Sequence, residues 1–142
     1  MHVRAILDEK GRKVLTIRPD ASLQDAAVML HENRIGALVV VGVNEQIKGI
    51  LSERDIVNAV ARNGSDALQK TVSTAMTSNV FRCAEEATLE QVMAMMTEKR
   101  CRHIPVEKDG KLGGMISIGD VVKSRIREIE FEAQEIKAYI AG

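Results

Sequence analysis

At two places in this 142-residue sequence, a short apolar run ends at a serine that is followed three residues later by an aspartate and then by a helical pattern. The first pair is Ser52 and Asp55, and the second is Ser117 and Asp120. At a helix start, the hydroxyl accepts a hydrogen bond from a free backbone amide, and the carboxylate lies at the positive end of the helix dipole. The same groups can also bind a phosphorylated ligand together with unpaired N–H groups. The pattern alone leaves both interpretations open.

The two Ser-x-x-Asp steps belong to a longer internal repeat. Residues 114–122 repeat residues 49–57 at an offset of 65, and residues 100–104 repeat residues 34–38 at an offset of 66. The one-residue difference falls in the hairpin turn, where length varies most freely. We therefore predict that the chain is an internal duplication.

Each half of the repeat is expected to contain a strand, a helix, two strands and a second helix, which is an α+β fold. Ser22 and Thr88 each precede apolar residues at i, i+3, i+4 and i+7, the spacing of an amphipathic helix. The Asp109-Gly110 step predicts a tight hairpin turn in the second half. The expected strands are 14–17, 35–43 and 47–51 in the first half, with 80–82 and the two arms of that hairpin in the second.

Neither half is large enough to bury its own apolar faces, so the two must pack as one pair. We divide the chain into an N-terminal lead segment (1–13, with a short helix at 2–10), a first motif (14–63), a linker (64–76, with one helical turn), a second motif (77–123) and a C-terminal helix extension (124–142).

The final helix contains an apolar seam whose members alternate in spacings of four and three residues, as in a coiled coil. The seam residues are Val122, Ile126, Ile129, Ala133, Ile136 and Ile140. Either the seam lies across its own domain, or it forms a subunit interface. We predict a homodimer, because the seam and the helix faces together leave more apolar surface than a monomer should expose.

The overall composition argues against several classes of protein function. Positive and negative residues balance at 20 each and aromatics make up 2%, so no pattern indicates nucleic-acid binding. The longest apolar run, 35–43, is too short to cross a membrane. The N-terminus lacks a signal-peptide pattern and the two cysteines form no CxxC, which predicts a cytoplasmic protein. The three histidines lack metal-ligand spacing, so no metal site is expected.

The repeated unit resembles a tandem pair of CBS (cystathionine-β-synthase) motifs, also called a Bateman module. The resemblance rests on Arg-x-x-x-Ile-Pro-Val at 100–106 and Gly-x-x-Ser-x-x-Asp at 49–55 and 114–120, and it covers nearly the whole chain. It is closest to stand-alone CBS proteins with no attached enzyme. The family binds adenosine-containing ligands between its two motifs. The resemblance thus implies such a ligand here, with AMP first and ADP, ATP, NAD(H) or S-adenosylmethionine as alternatives.

The resemblance also implies roles for particular residues. Asp55 and Asp120 would accept hydrogen bonds from the ribose hydroxyls, because a carboxylate accepts side by side from a vicinal diol. Cations for the phosphates would come from Arg102 and His103 in the second copy and from Arg54 in the first. The remaining expected ligand residues are Ser52 and Ser117 for ribose or phosphate, and Thr16, Ser78, Asn79 and Val80 beside the adenine. Since the copies differ at these positions, we expect two unequal clefts.

The favoured function is a non-enzymatic sensor that changes shape or partner affinity when it binds an adenine nucleotide. The alternative is a ligand-independent dimeric interaction protein that regulates a partner such as a thioredoxin-like protein or a metabolic enzyme. Catalysis is not expected, because the sequence contains no nucleophile elbow, Walker loop or dinucleotide fingerprint.

Overall fold

The computed structural model describes residues 1–141, which form five helices and five strands. In chain order these are α1 (Val3–Lys10), β1 (Thr16–Ile17), α2 (Leu23–Asn33), β2 (Ala37–Val41), β3 (Ile47–Ser52), α3 (Glu53–Asn63), α4 (Leu89–Lys99), β4 (His103–Lys108), β5 (Lys111–Ser117) and α5 (Ile118–Ala141). Between α3 and α4, the linker forms two short 3₁₀ segments, Gly64–Gln69 and Val72–Thr74. The predicted α+β class is confirmed.

The two halves repeat the same backbone details. In the first sheet, β1 is parallel to β2 and β2 is antiparallel to β3; in the second, β4 and β5 form an antiparallel hairpin. The register shifts at Val40/Val41 and again at Val106/Glu107, 66 residues later. Likewise α2 and α4 both end at an arginine in the left-handed conformation. The predicted duplication is therefore present in the geometry as well as in the sequence.

The strand predicted at 80–82 is wrong. Only Cys83 pairs there, in a single parallel bridge to Val106. Extending this ladder by one step would require an amide hydrogen from Pro105, which proline lacks. The equivalent residue in the first half is Val39, and its amide donates to the carbonyl of Leu15 at 3.4 Å. One proline therefore explains why the first sheet has three strands and the second has two.

Each half contains its own apolar core, and each core is completed by a segment from outside the half. The first core includes Ala67 and Val72 from the linker. The second includes Val3 and Leu7 from α1. A Cβ on Gly114 in β5 would lie only 2.8 Å from the Leu7 side chain, so glycine is needed for α1 to pack this closely. The N-terminal helix is thus part of the second half's core.

A third apolar cluster joins the two halves. Val39, Val41 and Ile47 of the first sheet are buried against partly buried side chains that include Leu112 and Met115 of β5. The expectation that the motifs pack against each other is confirmed.

Helix α5 packs on its own chain only near its beginning, where Val121 and Ser124 are buried. All residues from 129 to 141 are exposed, and the isoleucines and valine of the predicted seam are 51% to 77% exposed. The alternative in which the seam lies across its own domain is therefore wrong for the described residues. No helix within 1–141 is both long and apolar enough to span a bilayer.

Candidate functional site

A cleft of about 660 Å³ lies between the two halves, a volume within the usual range for small-molecule sites. Its walls are the first turn of α3, the chain at 77–81 and the turn that joins α4 to β4. Seven of the eleven residues expected from the sequence lie in these walls: Ser52, Arg54, Asp55, Asn79, Val80, Arg102 and His103. We call this space the Asp55 cleft.

Ser52 and Asp55 form a reciprocal cap at the start of α3. The Asp55 amide donates to Ser52 Oγ at 3.2 Å, and the Ser52 amide donates to Asp55 Oδ2 at 2.8 Å. The capping interpretation of this Ser-x-x-Asp step is therefore confirmed. It uses only one carboxylate oxygen, and Oδ1 accepts no hydrogen bond within residues 1–141. The cap orients the carboxylate and leaves acceptor capacity for a ligand.

The Asp55 cleft is surrounded by more cations than the sequence analysis assigned to it. Besides Arg54 and Arg102, its walls include Lys99 and Arg100. None of the three arginines makes an ion pair or a side-chain hydrogen bond within residues 1–141. Since guanidinium groups form charge-assisted bonds to phosphate oxygens, the cleft suits an anionic ligand.

Arg100 entered the sequence analysis only as part of the Arg-x-x-x-Ile-Pro-Val motif, and neither Arg100 nor Lys99 was among the expected ligand residues. The left-handed backbone at Arg100 turns the chain sharply between α4 and β4, and residues on both sides of this turn line the cleft. The equivalent arginine in the first half, Arg34, has the same conformation. A cationic residue directly after a helix and before a repeated strand is the signal that could have identified Arg100.

The end of the linker is bound tightly to β3 and closes one side of the Asp55 cleft. Thr77 and Ile50 exchange two backbone hydrogen bonds, at 3.0 and 2.9 Å. A Cβ on the neighbouring Gly49 would lie 2.7 Å from the Thr77 carbonyl oxygen, so the approach depends on glycine. This contact positions Asn79 and Val80 in the wall.

A second, smaller cleft of about 360 Å³ lies on the other side of a shared partition formed by Gly36, Ala37 and His103. Lys10 and Ser117 also line it. Asp120, the carboxylate of the second Ser-x-x-Asp step, is bonded to these two residues but is not itself among the residues that line the space. We call this space the Asp120 cleft.

One oxygen of the Asp120 carboxylate is engaged by three hydrogen bonds, whereas Oδ1 accepts none within residues 1–141. Oδ2 accepts from the Ser117 amide at 2.9 Å, from Ser117 Oγ at 3.0 Å and from Lys10 Nζ at 2.7 Å. Burial raises the pKa of Asp120, but the hydrogen bonds from Lys10 and Ser117 outweigh burial and hold the pKa below its ordinary value. A ligand that used Oδ2 here would have to displace Lys10.

A sequence model of the CBS domain matches residues 3–62 and 72–127. The chain belongs to the CBS-domain family. Among its relatives, the CBS domain-containing protein CBSX3, mitochondrial, of Arabidopsis thaliana is 34% identical over 145 residues, which span 96% of this chain and 70% of the relative. The two repeats are therefore two CBS domains, and the resemblance inferred from the motifs is confirmed.

Solved structures show the same CBS pair fold. The CBS-domain containing protein ATU1752 from Agrobacterium tumefaciens is 51% identical, with a TM-score of 0.83 over 88% of this chain and 99% of that one. The CBS domain pair of protein MJ0100, solved in complex with 5′-methylthioadenosine and S-adenosyl-L-methionine, is 25% identical. Its TM-score is 0.79 over 90% of this chain and 98% of that one. Both similarities extend over nearly the whole pair, so the two domains pack as they do in these two solved structures.

His103 lies in the partition between the two clefts of the CBS pair. Burial lowers its pKa most, and the nearby Lys10 lowers it further, although Asp120 acts in the opposite direction. At neutral pH the imidazole is therefore mainly uncharged. His103 can exchange hydrogen bonds with a ligand, but the structure gives it little of the cationic character that the sequence interpretation assumed.

Two expected ligand residues of the CBS pair lie elsewhere. Thr16 lines a separate cleft of about 550 Å³, together with Arg12 and Arg18. Ser78 is exposed, and its carbonyl accepts a hydrogen bond from the Val80 amide at 2.9 Å. The structure therefore brings neither side chain into the walls of the Asp55 or Asp120 cleft.

The cysteines of the two CBS domains are protonated at neutral pH. Burial raises the pKa of the Cys83 thiol to about 11 and also raises that of Cys101, which lines the Asp55 cleft. Because the thiolate is the reactive form, neither residue is activated as a nucleophile. Within residues 1–141, no cluster of histidine, cysteine and carboxylate side chains is arranged to hold a metal ion.

Proposed function

We propose that the Asp55 cleft binds an adenine nucleotide, with AMP as the first choice, and that the protein is a non-enzymatic sensor of that ligand. The observation on which the proposal rests is one half-buried carboxylate with a free oxygen, in a cleft that three unpaired arginines surround. A ribose diol needs a paired acceptor, and a phosphate needs charge-assisted donors. The Asp55 cleft supplies both.

The proposed pose follows from the order of these groups around the cleft. Asp55 Oδ1 accepts from one ribose hydroxyl, while Oδ2 accepts from the other and keeps its bond to the Ser52 amide. Arg54 adjoins Asp55 in the sequence and forms the near side of a phosphate site, which Arg102 completes from the second domain. The adenine lies against the wall at Asn79 and Val80. Each part of the nucleotide then contacts a different element.

The charge of the cleft favours one ligand class. The ligands solved with MJ0100 support an adenosine group as the common part. The sulfonium of S-adenosylmethionine is positive and would be repelled by the surrounding arginines, whereas the phosphates of AMP, ADP, ATP and NAD(H) would be attracted. We therefore propose AMP ahead of the other nucleotides, and S-adenosylmethionine last.

The Asp120 cleft is the secondary site in this proposal. Its volume is about half that of the Asp55 cleft, and its carboxylate is bonded to Lys10. A ribose bound there could contact Asp120 Oδ1 directly, but it would have to compete with Lys10 for Oδ2. The two clefts should therefore differ in affinity, with the Asp55 cleft filled first.

Isothermal titration calorimetry with AMP, ADP, ATP, NADH and S-adenosylmethionine tests the proposal on the full chain. The tightest ligand, at about 100 times its Kd, should stabilise the fold by about 2.7 kcal/mol. Pure protein should release no phosphate from ATP or AMP beyond a buffer control. Absence of heat and of thermal stabilisation with every ligand would refute nucleotide sensing, and sustained phosphate release would refute the non-enzymatic role.

A second candidate function is a ligand-independent dimer that regulates a partner such as a thioredoxin-like protein or a metabolic enzyme. The observation that favours it is the exposed apolar seam of α5, which nucleotide binding does not require. We propose that the protein is a homodimer under either function. The titration separates the two, because an interaction protein would retain dimerisation with no nucleotide affinity.

A further inference from the structure

The exposed part of α5 has the length and pattern of a dimerisation helix. The helix contains 24 residues, which span about 36 Å. Ser124 is buried on the side that packs against its own chain, and it occupies the heptad position opposite the seam. The seam therefore faces away from the domain. Near its beginning, Ile118, Val122 and Ile126 form an exposed apolar surface on one side of the helix.

The spacing of the seam assigns each of its residues to a heptad position. The a positions are Ile126, Ala133 and Ile140, and the d positions are Val122, Ile129 and Ile136. This assignment determines which residues flank the seam. The e positions are Lys123, Glu130 and Lys137. The g positions are Arg125, Glu132 and Tyr139. These flanking charges allow the direction of a helix pair to be tested against electrostatics.

In a parallel, in-register pair, each g residue faces the e residue five positions later on the other helix. Arg125 then faces Glu130 of the second copy, and Glu132 faces Lys137 of the second copy. Both contacts join opposite charges, and twofold symmetry repeats each of them. A parallel pair therefore has four attractive flanking contacts.

An antiparallel pair centred on the same seam brings e residues together with e residues, and g residues with g residues. Glu130 then faces its own copy, Glu132 faces its own copy, and Lys123 faces Lys137. All three contacts join like charges, which destabilise helix pairs. Of these two arrangements, which both use the whole seam, only the parallel one has complementary flanking charges.

We infer that a second copy of this chain covers the seam, and that the two α5 helices form a parallel, in-register coiled coil. In the single chain, neither Glu132 nor Lys137 has an ion-pair partner among residues 1–141. Arg125 Nη1 lies 3.0 Å from Glu128 Oε2. In the dimer, the same guanidinium would contact both Glu128 and Glu130 of the second copy. The second copy thus supplies partners to charges that the single chain leaves unpaired.

This inference specifies the surface and direction of the proposed homodimer, and it does not depend on nucleotide binding. The two ideas fail separately. Loss of nucleotide binding in the Asp55→Asn variant concerns the cleft, whereas the dimer constants of the α5 variants concern the seam.

Charge reversals in the full chain test the direction of the pair, with dimer Kd measured by analytical ultracentrifugation. Glu132→Lys should raise the dimer Kd by about tenfold or more, because two attractive contacts become repulsive. Lys137→Glu should weaken a parallel dimer similarly, but it would strengthen an antiparallel one through Lys123. The double variant Glu132→Lys/Lys137→Glu should return close to the wild-type Kd. Glu135→Lys changes the net charge equally on the outer face and serves as the control.

Cysteine cross-linking provides a second measurement. Ala133 lies at an a position and should meet its own copy in a parallel pair, so Ala133→Cys should form a disulfide-linked dimer under mild oxidation. Ala138→Cys, on the opposite helix face, should not. Peptide mass spectrometry identifies the 133–133 link and separates it from any product of Cys83 or Cys101. A wild-type monomer at tens of micromolar, a tighter dimer for Lys137→Glu, or an Ala133→Cys variant that stays unlinked would each overturn the inference.

Discussion

Lys10 Nζ lies 2.7 Å from Asp120 Oδ2, whereas no cation lies within ion-pair distance of Asp55, the equivalent carboxylate of the first CBS domain, among residues 1–141. Lys10 is the last residue of α1, which packs in the core of the second domain. The duplication is therefore asymmetric at the two positions where the family resemblance implies ribose binding. This asymmetry has consequences for binding, stability and pH dependence.

The first prediction contrasts Asp55→Asn with Asp120→Asn. Loss of a carboxylate that accepts from two hydroxyls should cost roughly 1.5–3 kcal/mol in binding, or about tenfold or more in affinity. We expect this loss for Asp55→Asn, with a decrease of only about 1 kcal/mol in the free energy of unfolding from the weakened cap. Asp120→Asn should change affinity less. Calorimetry and thermal denaturation of both variants measure the two effects.

Deoxyadenosine nucleotides provide the matched control, since a site that binds the ribose diol must bind them more weakly than the ribonucleotides. If both asparagine variants lose stability while affinity stays constant, the Ser-x-x-Asp step is only a helix cap, and the Asp55 cleft is not the nucleotide site.

The repeated pattern explains why most of the fold could be predicted from the sequence. Helix starts at Ser22 and Thr88 follow local capping chemistry, and both capping bonds are present in the structure. The missing strand at 80–82 depends on Pro105, which lies more than 20 residues away. Local β-propensity predicts a strand from the residues of that segment alone. It therefore cannot show that the residue opposite, Pro105, has no amide hydrogen to donate. Sequence periodicity likewise could not specify which half α1 would join.

The candidate site was only partly predictable for a similar reason. Motif positions identified Asp55, Arg54 and Arg102 as candidate residues, but they did not predict that residues from the two copies would line one cleft. The contribution of Arg100 depends on a turn conformation, and the position of Thr16 depends on how the two domains pack. The Lys10 contact joins residues 110 positions apart. No repeat offset connects these two residues, so tertiary structure was needed to find the contact.

The second prediction concerns the phosphate. Arg102→Ala should weaken AMP binding by about tenfold, because one charge-assisted bond contributes about 1.5–3 kcal/mol. Adenosine, which has no phosphate, should bind the variant and the wild type equally. Calorimetry with both ligands checks the difference. Arg82→Ala is the control, because Arg82 is paired with Glu107 at 2.6 Å and does not line the cleft. Equal losses for AMP and adenosine would contradict a phosphate role for Arg102.

The third prediction concerns the wall formed by the linker. Gly49→Ala should lower the free energy of unfolding by about 1–3 kcal/mol, since the new Cβ would overlap the Thr77 carbonyl. Nucleotide affinity should fall with it, because Thr77 positions Asn79 and Val80. Gly36→Ala is the comparison, as its Cβ would meet no atom within 4 Å. Chemical denaturation should show it unchanged or slightly stabilised, and a Gly49→Ala protein as stable as this control would disprove the tight linker contact.

The fourth prediction follows from the lowered pKa of His103. A folded-state pKa below the unfolded value means that His103 supports stability above about pH 6.5 and that this support is lost as pH falls through the folded pKa. His103→Gln should therefore flatten the decline in unfolding free energy between about pH 7 and pH 5. His31→Gln, at an exposed position, serves as the control. Identical slopes for His103→Gln and wild type would show that burial does not affect this imidazole.

The last prediction tests the contact between Lys10 and Asp120. Because the pKa of Asp120 is lowered in the fold, its carboxylate stabilises the protein above the unfolded pKa of about 3.9, and this support is lost as pH falls through the lower folded value. Lys10→Met should therefore cost roughly 0.2–1 kcal/mol at pH 7, as expected for a partly exposed ion pair. The cost should be smaller at about pH 2, where only the bond from Lys10 Nζ to the Met115 carbonyl at 3.0 Å is left to lose. Lys13→Met is the matched control, because Lys13 also lines the Asp120 cleft. Its substitution removes the same charge but breaks no ion pair within residues 1–141. Urea denaturation of both variants across this pH range measures the difference. A deficit for Lys10→Met that stays constant from pH 7 to pH 2 would mean that lost packing, and not the Asp120 ion pair, accounts for the effect.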